Sequence, residues 1–92
     1  MLLTRQIIRY LNKQSCFKTA RDIHQDLNLS NDYYATFDIK LKSLAAKHKI
    51  LMVPLQDIYR YSKPLKLKNG RVLSGLIDVY DYLKLSSELE DN

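Results

Sequence analysis

The sequence predicts a single α+β domain that is mostly helical: three helices, a β-hairpin and a closing helix. Three observations carry that expectation. Thr19-Ala20-Arg21-Asp22 is a capped helix start, a hydroxyl before the first turn and a carboxylate within it. A Lys-rich amphipathic run follows from Ser30 to His48. Two β-prone segments, Ile50-Leu51-Met52-Val53 and Ile58-Tyr59-Arg60-Tyr61, then flank the polar Pro54-Leu55-Gln56-Asp57. A length of 92 residues suits one modest core, and a hydrophobic fraction of 46% excludes wholesale disorder.

The elements follow in order. Leu3, Ile7, Tyr10 and Leu11 recur at helical spacing, with Arg5, Arg9 and Lys13 on the other face, so a first helix runs from about Leu3 to Gln14. Ser15-Cys16-Phe17-Lys18 connects it onward, with Phe17 turned toward the core. In the second helix Ala20, Ile23 and Leu27 form the buried stripe. Asn28-Leu29 makes the turn, since Asn tolerates the left-handed conformation. Ser30 caps the third helix. Its core face carries Tyr34, Phe37, Leu41, Leu44 and Ala45 at intervals of three and four. The opposite face carries Asp32, Thr36, Ile39, Lys40, Ser43 and Lys47, with Lys42 at its flank. A solvated helix face has the same pattern. An outward Ile39 is either a contact for a thymine methyl or a residue covered by another part of the chain.

Beyond the hairpin, Ser62 to Lys68 reads as an extension of its second strand, with Pro64 tolerated at an edge. Asn69-Gly70 is a hairpin-turn signal in general. The residues after it have helical period, namely Leu73, Leu76, Ile77, Tyr80, Leu83 and Lys84, and predict a last helix over about 71–85. Residues 86–92 are polar and acidic and are expected to fray.

Charge is unevenly spread. Residues 1–71 hold 14 Lys/Arg against 5 Asp/Glu, and residues 72–92 hold 1 against 5, for a net +5. A basic body suits a polyanion partner, although it also suits plain solubility. Cys16 is the one cysteine, so an internal disulfide is excluded; the thiol is either buried or half-buried, or bridges two chains. His24 and His48 with one cysteine do not make a metal set. His24 packs or half-exposes in mid-helix, and His48 aids a helix end. No apolar run approaches the roughly 20 residues of a membrane span. Met1-Leu2-Leu3-Thr4-Arg5 lacks the apolar core and cleavage site of a signal peptide, so the expected compartment is the cytoplasm. A phosphate-binding Gly-rich loop, a nucleophile-His spacing and a paired-carboxylate motif are all missing, and neither an enzyme nor a bound cofactor is expected.

The second and third helices read as a helix-turn-helix, and the order of elements resembles the winged helix-turn-helix superfamily. The likeness is to the version with an extra C-terminal helix found in MarR-like and PadR-like regulators. It is carried by Thr19-Ala20-Arg21-Asp22-Ile23, Leu27-Asn28-Leu29-Ser30, Leu41-Lys42-Ser43-Leu44-Ala45 with Ile50-Leu51, and Ile58-Tyr59-Arg60-Tyr61. Two departures stand out: the segment from Ser30 to Leu41 is longer than usual, and no Gly ends the third helix. The resemblance implies a homodimer that binds double-stranded DNA sequence-specifically and regulates transcription. The third helix would enter the major groove and the wing would touch the backbone. The residues expected to meet DNA are Thr36, Ile39, Lys40, Lys42, Ser43, Lys47, Arg60, Lys63 and Lys66. Leu73, Leu76, Ile77, Tyr80 and Leu83 are the expected dimer interface, unless that helix merely caps the core. The competing function is a winged helix used for protein contacts. RNA binding has less support, because the seven Tyr are scattered.

Overall fold

A computed structural model describes residues 2–90. The chain runs α1 (Leu2–Asn12), β1 (Lys18–Thr19), α2 (Ala20–Asp26), a 3₁₀ turn (Asn31–Tyr33), α3 (Tyr34–Ala46), β2 (Leu51–Leu55) and β3 (Ile58–Ser62). It continues with β4 (Leu65–Lys66), β5 (Val72–Leu73), β6 (Gly75–Leu76), α4 (Val79–Leu85) and a 3₁₀ turn (Ser86–Glu88). The architecture is α+β. A mixed sheet has the order β1-β3-β2-β6, antiparallel except for the β2–β6 pair, and β4 pairs with β5 separately.

The sheet is covered on both faces, and the sequence of β2 shows how. Side chains alternate across a strand. Ile50 and Met52 join Ile7, Leu11, Ile23, Phe37, Leu41 and Leu44 in a core beneath α1, α2 and α3. Leu51 and Val53 join Leu67 and Leu73 in a second core, packed with Phe17, Ile77, Val79, Tyr82 and Leu89. An unbroken apolar run at 50–53 is what a strand buried on both sides requires.

The local signals around α2 form as expected. The Thr19 hydroxyl accepts from the Asp22 N–H at 3.1 Å, and the Asp22 carboxylate accepts from the Thr19 N–H at 3.3 Å. Asn28 has φ 56, with its N–H on the Gln25 carbonyl and the Leu29 N–H on the His24 carbonyl. That pair of bonds is a Schellman ending. α3 ends the same way, with His48 at φ 61 where Gly is usual. Ser30 caps the 3₁₀ turn, accepting from the Asp32 N–H, and α3 itself starts only at Tyr34.

Several expectations need correction. The strand β2 runs through Pro54, and the hairpin turn is only Gln56-Asp57, with φ 55 and 64. Both central residues left-handed is the type I′ geometry that matches sheet twist. The helix expected over 71–85 is confined to Val79–Leu85. Asn69-Gly70 turns the chain as its composition suggests, and Val72–Leu73 comes back as a strand against Leu65–Lys66. Leu73 is 5% exposed inside the second core, so it is not available to a partner; Ile77 packs there too. Nor does the segment from Ser86 to Glu90 fray. The Lys68 N–H bonds to the Glu88 carbonyl, the Glu90 N–H bonds to the Lys66 carbonyl, and Leu89 packs inward, because the second core needs covering on that side. Residues 91–92 lie outside the described residues. Cys16 is exposed rather than half-buried. Among the described residues, no helix is long and apolar enough to cross a membrane.

Candidate nucleic-acid interface

The outward side of α3 is built by its own periodicity. Phe37, Leu41, Leu44 and Ala45 are buried, which turns Thr36, Ile39, Lys42, Ala46 and Lys47 out to solvent. Lys40 and Ser43 are half-buried at the margins. Ile39 lies at the centre of this face and is 66% exposed, so none of the described residues covers it. The tight ending at His48 fixes the C-terminal end of the rod, and the Ser30-capped 3₁₀ turn leads into its start at Tyr34.

The cations are not equivalent. Lys42 pairs with Asp38 at 2.9 Å, and its ammonium lies 5.6 Å from the centre of the Tyr59 ring. The bond from Asp38 holds the Lys42 pKa above its ordinary value. Lys42 thus ties α3 to the β2–β3 hairpin, and Asp38 is neutralised. Lys40 and Lys47 have no ion-pair partner among the described residues.

Arg60 behaves differently from the sequence expectation. It is half-buried, and its guanidinium donates to the Leu55 carbonyl at 3.2 Å and to the Gln56 side-chain oxygen at 3.3 Å. It braces the hairpin tip from within. Lys63 and Lys66 lie elsewhere again, lining a groove with Pro64, Leu65, Leu89 and Glu90 against the C-terminal segment. The structure therefore joins Thr36, Ile39, Lys40, Lys42, Ser43 and Lys47 on one helix, while Lys63 and Lys66 line a different groove.

Residues that the sequence does not place among the expected DNA contacts complete the surroundings. Arg21, Tyr34, Asp38, Ile58, Tyr59 and Tyr61 line a groove between α2, α3 and the hairpin. Ile58 and Tyr59 are large and exposed beside the tip. As neighbours they point to opposite faces of β3, and both are exposed because they stand at its tip end, whereas Tyr61 and Ser62 at the other end are buried. The Tyr61 hydroxyl is buried with no partner among the described residues, and burial above all pushes its pKa well up.

Of the residues expected at a dimer interface, Leu76, Tyr80 and Leu83 are exposed at 58%, 69% and 62%. Among the described residues no cluster of three or more His, Cys, Asp or Glu is placed to hold a metal. Comparison with protein-family models, curated proteins and solved structures gives no match to this chain.

Proposed function

We propose that the chain is a winged helix-turn-helix protein that binds double-stranded DNA sequence-specifically, with α3 in the major groove. One observation carries the reading. The outward face of α3 is left uncovered by the described residues and carries Lys40 and Lys47, and the carboxylate within the helix, Asp38, is already paired. The order α1-β1-α2-α3-β2-β3 and the β1-β3-β2 sheet fit such a module. Phosphate neutralisation by the lysines supplies affinity, and Thr36, Ser43 and Ile39 supply selectivity at base edges. The type I′ hairpin serves as a short wing beside the backbone. A homodimer formed through Leu76, Tyr80 and Leu83 would set two such helices one DNA turn apart and prefer an inverted repeat. Such a regulator of transcription works in the cytoplasm.

A second reading has its own support. Ala35, Ile39 and Ala46 are exposed along the middle of the α3 face, an apolar strip that also suits a protein partner. Titration against duplex DNA at two salt concentrations separates the two. Affinity that falls steeply with salt, by a log–log slope of about 0.9 per neutralised phosphate, supports DNA binding. No binding at low salt overturns it in favour of protein contact.

A further inference from the structure

The outer face of α1 carries a cation at every fourth position. Arg5 and Arg9 are exposed on the helix, and Lys13 is exposed just after it. At about 1.5 Å of rise per residue the three lie about 6 Å apart along one line. α1 contains no acidic residue. None of the three cations has an ion-pair partner among the described residues.

The helix dipole favours Arg9 and Lys13 at the C-terminal end of α1, but it does not account for Arg5. Ile7 and Leu11 face the core from the other side of the helix, so the cations do not pack it. Like charges four apart repel one another. Arg5 lies in the first turn, where the helix dipole disfavours a positive charge.

We propose that this face of α1 is a second duplex-DNA surface, gripping the phosphate backbone through Arg5, Arg9 and Lys13 and reading no bases. A strand of B-DNA offers a phosphate about every 3.4 Å of axis, so a line about 12 Å long can engage three of them. Two of the three cations are guanidinium groups, whose planar fork matches phosphate oxygens in pairs. α1 and α3 turn their apolar stripes into one core, and the groove where they adjoin is lined by Leu3 and Gln6 of α1 and Thr36 of α3, without Arg5, Arg9, Lys13, Lys40 or Lys47. The proposal stands on the charge of α1 and does not rest on the reading of α3.

Anisotropy titrations of the full chain with a random-sequence duplex test it. The Lys40→Ala/Lys47→Ala variant is expected to keep salt-dependent binding with a log–log slope of about 2.7, from three phosphates. Adding Arg5→Gln/Arg9→Gln/Lys13→Gln is expected to weaken that binding by about tenfold or more. Glutamine keeps helix propensity, and circular dichroism melts verify that each variant folds. The proposal is overturned if Lys40→Ala/Lys47→Ala loses all duplex binding, or if the α1 changes leave binding intact. A Lys40→Ala/Lys47→Ala variant that binds its preferred site as tightly as the parent would instead sink the α3 reading, whatever α1 does.

Discussion

The His48 imidazole Nδ1 lies 3.1 Å from the Ser74 hydroxyl, joining the end of α3 to the start of β6. The next residue, Gly75, has φ 80 and leaves no room for a side chain. A Cβ there would lie 2.7 Å from the His48 ring and 3.3 Å from the Ala45 carbonyl. Gly75→Ala is expected to destabilise the fold by roughly 1–3 kcal/mol, from backbone strain and overpacking together. Thermal unfolding measures it, and an unchanged midpoint would show that β6 moves freely away from α3.

Leu41 is fully buried between α3 and the first core. Leu41→Ala is expected to cost roughly 2–5 kcal/mol, as a cavity in a close-packed core does. Denaturant titration provides the number. A loss well under 1 kcal/mol would contradict the burial of this face of the helix.

Lys40→Ala with Lys47→Ala is expected to lower affinity for a preferred DNA site and to cut the salt slope by about 0.9 for each phosphate no longer engaged. Stability should barely change, since neither lysine has an ion-pair partner among the described residues. A silent pair in a mobility-shift assay would mean that another face meets the duplex.

Tyr61 gives a pH prediction. Burial, then the nearness of Asp38, Tyr34 and Tyr59, raises its pKa above the ordinary tyrosine value of 10.0. Tyr10 shifts the same way, through burial and its bond to Asp26. A pKa raised on folding means that the native state favours the protonated phenol. The stability this contributes is complete below pH about 10 and is lost as pH climbs above it. Unfolding should therefore become easier in alkali. Tyr61→Phe should blunt that loss and, by removing a buried hydroxyl without a partner, raise neutral-pH stability by about 1 kcal/mol. Chemical denaturation at neutral and alkaline pH checks both; a destabilised variant would reveal a partner for the hydroxyl.

The first sixty residues are largely legible because their signals agree. The Thr19 cap, the left-handed Asn28 and the spacing of Phe37, Leu41 and Leu44 all specify the same helices. Residues 62–90 carry conflicting signals. Leu73, Leu76, Ile77, Tyr80 and Leu83 have helical spacing, yet Asn69-Gly70 marks a turn, and the turn prevails. Tertiary burial decides it, since Leu67 and Leu73 fill the back of the sheet beside Leu51 and Val53. The candidate site divides along the same line. The α3 residues follow from one period, whereas the bracing role of Arg60 needs the Gln56-Asp57 turn, which contains no glycine to announce it. The place of Lys63 and Lys66 in a groove with the C-terminal segment depends on long-range pairing that no local pattern encodes.

The lone thiol of the sequence, Cys16, is at the surface in the link between α1 and β1. A maleimide fluorophore attaches there without removal of any other cysteine. Three positions from Lys13, such a dye would give an optical report of what approaches the first helix while leaving α3 unlabelled.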